Sequence, residues 1–171
     1  MPDLYRITTE YIDAEDRLRI TGELAPGEIV VLWLTQRLIH RLMEHLCCCL
    51  DDQSPHLSQS RALQADVIQS FAQQAARAQL AAQPAVQASQ ASQQWLVASV
   101  DISRAADKTT LTFMGSQPGV RSRLTLHEQP LRQWLSIVFE QCGVADWPVE
   151  VWPDWVREAS LPASRSSTLL Q

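Results

Sequence analysis

The sequence predicts an α+β domain: two βββα pseudo-repeats of antiparallel strands, with a Gln/Ala-rich helix inserted between them. Three observations carry this. Short stretches alternate apolar and polar residues with a period of two, and Gly/Pro turns bound them. Each set of three such stretches is followed by apolar residues at helical spacing. Shifting the numbering by 93 sets apolar residue on apolar residue without a gap: Leu18 on Leu111, Ile20 on Phe113, Val31 on Leu124 and Trp33 on Leu126. The match continues with Leu38 on Leu131, Leu42 on Leu135 and Leu46 on Phe139, while Gly22 meets Gly115 and Cys49 meets Cys142. Generic strand-helix patterning yields matches of this kind too. A glycine turn, two strands and a whole helical stripe at one offset favour a repeat.

The elements follow in order. Residues 4–12 read as a strand with Tyr5, Ile7, Thr9 and Tyr11 on one side. Asp13 to Asp16 make a polar turn, and Leu18 and Ile20 of the next strand point inward. Pro26-Gly27 is a strong turn signal. Ile29 to Leu34 is a continuous apolar run, the pattern of a strand at the sheet centre. Thr35 is placed as an N-cap, its hydroxyl accepting an N–H that the first helical turn leaves unpaired. The helix it opens carries Leu38, Ile39, Leu42, Met43, Leu46, Cys49 and Leu50 at helical spacing. A second helix is expected from about Leu57 to Gln83, with a narrow stripe of Leu63, Val67, Phe71, Ala75, Ala78 and Ala82, stopped by Pro84. The second half restarts at Trp95, alternates through Val100, Ile102, Leu111 and Phe113, and closes on a helix carrying Leu131, Trp134, Leu135, Val138, Phe139 and Cys142. Gly143 is placed like its C-terminal cap.

These boundaries predict a single domain over 1–159. It comprises repeat one at 4–50, a helical insert and linker at 55–94, repeat two at 95–143 and a Trp-rich strap at 144–159. The stretch 160–171 lacks periodicity and is expected to be a poorly ordered tail. A chain of 171 residues can bury a core without disulfide or metal. The element order, three strands, two helices, three strands and one helix, is similar to head domains of the superfamily that contains the DNA-ligase cofactor of end joining and the centriolar cartwheel protein. That likeness implies a fold and not a function.

Composition narrows the function classes. A net charge of −5, with Lys108 the only lysine, speaks against a general nucleic-acid binder or a polybasic membrane patch, leaving only local arginines such as Arg121 and Arg123 for such a role. The N-terminal stretch has early acids and no apolar run of signal-peptide length, and the run Ile29–Leu34 is far too short to span a bilayer. Three of the four cysteines are adjacent (Cys47, Cys48, Cys49, with Cys142 apart), a poor disulfide framework that points to a reducing cytoplasm.

Chemistry-bearing motifs are sparse. His45 and Cys49, and His40 and Glu44, are each four apart and share a helix face, but no second Cys or His pair completes a tetrahedral metal site. The cysteines fall at helix C-termini, where the dipole disfavours a thiolate. His127-Glu128 opens the last helix, where Glu128 is placed for capping rather than acid/base work. No GxSxG, GxxxxGK[ST] or GxGxxG occurs. No catalytic, cofactor or metal residue is therefore assigned. Two candidate interaction surfaces remain. Trp147, Trp152 and Trp155 form either hot spots for a partner or a strap over their own domain. The stripe of Leu63, Val67 and Phe71 suits helix-helix pairing, within the domain or across a homodimer. The expected function is a non-enzymatic protein-protein interaction or assembly module. The alternative is a ligand-binding or catalytic protein with a pocket between the repeats, lined by Trp33, cysteines and His40.

Overall fold

The computed structural model describes residues 2–25, 27–51 and 59–160. Its strands are β1 (Asp3–Leu4), β2 (Arg6–Ile12), β3 (Arg17–Ala25), β4 (Glu28–Leu34), β5 (Gln93–Ala105), β6 (Lys108–Gly115) and β7 (Arg121–His127). Its α-helices are α1 (Gln36–Asp51), α2 (Gln59–Ala78), α3 (Glu128–Val144) and α4 (Asp154–Ser160). The class is mixed α+β. The expected 57–83 helix is described from Gln59 and ends earlier than expected, at Ala78, while its expected start at Leu57 and the tail expected from 160 lie outside the described residues, except for Ser160, which ends α4. Pro26 also lies outside them, while its neighbour Gly27, just before β4, takes a left-handed φ of 84°.

All seven strands form one sheet in the order β1-β7-β6-β5-β4-β3-β2. The sheet is mixed rather than wholly antiparallel. Ladders β2–β3, β3–β4, β5–β6 and β6–β7 are antiparallel, whereas β4–β5 and β1–β7 run parallel. The parallel joins arise because two strands change partner along their length. Residues 93–96 of β5 pair with β4, and from Val97 onward the strand pairs with β6. Likewise β1 pairs with β7 through Asp3 and Leu4, and after one residue the chain continues as β2 against β3. The two ends of the strand order are thus one continuous segment, and the sheet is a near-barrel. Helix α3 packs on β2, β7 and β6.

A close approach makes this closure possible. Leu4 is buried, and a Cβ on Gly22 would lie 2.4 Å from its Cδ2. The Leu4 side chain fills the space that a Cβ on Gly22 would take, so any larger residue there forces it to shift. The ion pair of Asp3 and Arg123 clasps β1 to β7, with Arg123 Nη2 donating to Asp3 Oδ2 at 2.8 Å. Pairing with the guanidinium holds the Asp3 carboxyl below its usual range.

The core lies on one face of the sheet. Leu18, Ile20, Leu32, Leu34, Leu111 and Phe113 are fully buried there, with Ile39, Leu42, Met43, Leu46, Cys47 and Leu50 from α1. The cysteine facing the core is Cys47 and not Cys49, which is half-buried. Thr35 caps α1 as its residue type predicts, accepting the Leu38 N–H at 3.3 Å. The stop of α3 differs from expectation. Gly143 stays inside the helix, and Asp146 takes the left-handed conformation at φ 54°. Its N–H reaches the Gly143 carbonyl and the Trp147 N–H reaches the Cys142 carbonyl, which is a Schellman closure. On the opposite face of the sheet Thr21 and Val31 are also buried. The chain before β5 crosses that side of β2, where the buried Val86 donates its N–H to Thr8 Oγ1 at 2.8 Å.

Two outcomes test the closure. Gly22→Ala is expected to lower stability by about 1–3 kcal/mol through overpacking. The Gly22→Ala/Leu4→Ala pair should cost less than the sum of its singles in urea titrations; strict additivity would show that the two do not share the crossing point. A carboxyl with a depressed folded pKa contributes stability above its unfolded pKa and loses it as pH falls through the folded value. Asp3→Asn should therefore lower stability near neutrality and flatten the loss of stability below about pH 4.

Candidate interaction surface on the inserted helix

Helix α2 is amphipathic the wrong way round for a helix lying on its own domain. With 3.6 residues per turn, Val67, Ile68, Phe71, Ala75 and Ala78 fall within about a third of its circumference. That arc contains no Asp, Glu, Lys or Arg and faces solvent: Val67 is 53% exposed, Ile68 67% and Phe71 66%. Leu63 belongs to the same helix, but its side chain lies outside the described part. The buried arc carries Gln69, Gln73 and Ala76.

The buried arc is held by hydrogen bonds, because an amide taken from water without a partner costs several times what it contributes when paired. Gln73 is fully buried and donates through Nε2 to the Arg132 carbonyl and to Ser136 Oγ, both at 2.8 Å. Gln69 donates to the Leu50 carbonyl at 2.8 Å and accepts from Arg132 Nη2 at 2.6 Å. Gln133 on α3 donates to the Ala76 carbonyl at 3.0 Å. Arg77 turns inward too, reaching the Ala159 carbonyl at 2.9 Å and Glu140 at 2.7 Å. The centre of this layer is Arg132, which is buried. It is bonded to Glu128 at 2.9 Å, and its guanidinium lies 5.6 Å from the Trp155 ring centroid. That geometry is a cation–π contact.

The tryptophans do not form a surface. Trp147, Trp152 and Trp155 are all buried, because three indoles at the end of α3 and start of α4 have a core within reach. Trp147 meets Tyr11 edge-on at 5.6 Å and donates to Asp16 Oδ1 at 3.2 Å. Trp152 stands edge-on to Phe139 at 5.3 Å. Trp155 instead forms the floor under Arg132, and α4 packs against α2 and α3.

The residues named for a pocket between the repeats are dispersed. Trp33 stacks under Arg19 and bonds Gln94 at 3.3 Å, on the strand face opposite Leu32 and Leu34. His40 lies edge-on to Trp147 at 6.3 Å, and burial lowers its pKa, so the ring is neutral at pH 7. Among the described residues no three His, Cys, Asp or Glu side chains are grouped to hold a metal ion, and no helix is long and apolar enough to cross a membrane. His127 Nδ1 lies 2.9 Å from Asp107, a pair open to solvent, while Glu128 is bonded to Arg132. A groove of about 720 Å³ lies between β2, α3 and the chain after α2, lined by Tyr5, Ile7, Leu80, Gln129, Gln133 and Trp134 among others. Of the two arginines considered for nucleic acid, Arg123 is paired with Asp3.

Sequence periodicity located the α2 stripe but could not tell which arc faces inward. The signal that could have done so is Gln69 and Gln73, polar residues spaced four apart opposite the stripe. Removing the Gln73 amide with Gln73→Ala should destabilise by about 1–3 kcal/mol, since Ser136 Oγ and the Arg132 carbonyl lose their donor in a buried layer. An unchanged urea midpoint would show that the layer does not hold α2. Burial pushes the Cys142 thiol up to about 12 and raises that of Cys47. In the folded protein at pH 8 a thiol reagent should therefore reach Cys48 and Cys49 alone, with the other two reacting only in denaturant.

No protein-family model, no curated protein and no solved structure matches this chain.

Proposed function

We propose that this protein is a non-enzymatic protein-protein interaction or assembly module that self-associates as a homodimer through the solvent-facing arc of α2. One observation carries the reading: α2 places Gln69 and Gln73 inward and Val67, Ile68 and Phe71 outward. Leaving these side chains in water forfeits much of the ~1.5–3 kcal/mol each would gain on burial. A helix docked on its own domain by its apolar arc would have gained it. The polar layer supports an arrangement in which the apolar arc is kept for another surface.

The occupant is a second copy because the arc is self-complementary in chemistry. It is apolar or neutral throughout, so two copies meet without like charges. Its size sets the strength. A helix of 20 residues spans about 30 Å, so a seam ~10 Å wide covers ~300 Å² per copy. A standard interface takes about 800 Å² per partner, which places this dimer at the weak end with a micromolar Kd.

The sheet is read as two pseudo-repeated βββα units serving as scaffold. Support comes from the partner change shared by β5 and the β1–β2 segment, and from Gly22 and Gly115, each crowded by a neighbouring side chain. A reducing cytoplasm suits four cysteines that form no disulfide. Helix α2, outside these units, is then where function is carried.

Sedimentation of the full chain up to about 100 µM should show a reversible monomer–dimer equilibrium. Phe71→Asp should abolish it while keeping the unfolding midpoint, because exposed substitutions shift stability by about 0.5 kcal/mol or less. A wild-type chain that stays monomeric, or a Phe71→Asp chain that still dimerises, would falsify the reading.

A further inference from the structure

We infer that the two copies of α2 pair antiparallel, with Phe71 on the twofold axis. The inference rests on the self-association proposed above and adds its geometry. The solvent-facing arc is graded in size along the helix: Val67, Ile68 and Phe71 fill its first part, and Ala75 and Ala78 its last. Helix axes pack about 8–10 Å apart, at a distance set by the side chains between them. A parallel pair in register would set Val67 on Val67 and Ile68 on Ile68, then Ala75 on Ala75. Its axes would be forced apart at one end and leave a gap at the other.

An antiparallel pair centred on Phe71 removes the mismatch. Residues whose numbers sum to 142 then face each other. Val67 meets Ala75, Ile68 meets the amide stem of Gln74, and Gln64 meets Ala78. On either side of the axis large faces small, so both ends of the seam take the same interaxial distance. The two Phe71 rings meet at the axis, where offset stacking is favourable. The opposed helix dipoles also favour this direction. The arc carries no charge that would select against it.

Photo-crosslinking of the full chain separates the geometries. Gln64 is exposed, and benzoylphenylalanine replaces it in one chain, which is mixed with an isotope-labelled wild-type chain. Trypsin cuts after Arg61, Arg77 and Arg104, so the partner's residues 62–77 and 78–104 are released as separate peptides. The antiparallel pair predicts linkage to the labelled 78–104 peptide, and the reciprocal label at Ala78 predicts linkage to 62–77. Linkage of position 64 to 62–77 overturns the antiparallel geometry while a sedimenting dimer leaves self-association intact. A dimer that links to neither peptide places the interface elsewhere and overturns both. Ala75→Trp supplies a second readout. Facing Val67 of the other copy, it should weaken dimerisation at least tenfold; in a parallel pair it would fill the gap and strengthen it.

Discussion

The sheet depends on one short segment pairing with two strands at once. Residues 2–12 hydrogen-bond to β7 through Asp3 and Leu4 and to β3 from Arg6 onward, with the Tyr5 N–H bridging to the Glu23 carbonyl. Without that double engagement the strand order would end in two free edges, each with a row of unpaired backbone groups. At the crossing the Leu4 side chain fills the space that a Cβ on Gly22 of β3 would take. The Asp3–Arg123 pair then holds the crossing in place from the β7 side. Where β2 leaves β7, α3 covers the opening, and Trp134 ties it to the strand by donating to the buried Thr9 at 3.0 Å.

A second layer is built on α3. Its outer side carries Arg132 and Ser136, residues that a core-facing helix normally keeps in water. They are buried here because α2 and α4 lie over them and supply partners: Gln69 and Gln73 from one, the Trp155 face from the other. A polar layer of this kind is orientationally strict. Rotating α2 by one residue position would turn Gln69 and Gln73 away from their partners and leave buried groups unpaired. The hydrogen bonds therefore do more than attach α2; they dictate which of its arcs meets the solvent. Of the tryptophan-rich stretch, Trp155 serves this layer, while Trp147 packs on Tyr11 and Trp152 on Phe139.

The core and the attachment of α2 differ in chemistry. The strands with α1 and α3 supply most of the apolar side chains that fill the core. Helix α2 follows α1 in the chain as the shorter α4 follows α3. It is attached by polar contacts and presents an uncharged arc that its own domain leaves uncovered.

The sequence by itself determined the α+β class, the main strands and helices α1 to α3 by their period, the Thr35 cap and the shared side of Val67, Phe71, Ala75 and Ala78 on α2. These are local properties: alternation, helical spacing and capping act within a few residues. Only the tertiary structure decided the mixed strand directions, the split of β5 and of the β1–β2 segment between partners, and Asp146 rather than Gly143 as the left-handed stop of α3. It also decided that Trp147, Trp152 and Trp155 lie inside and that Val67 and Phe71 face out. The physical reason is the same in each case. A period says which residues share a side but not what lies opposite, and that depends on partners such as Arg132 that are some 60 residues away in the chain.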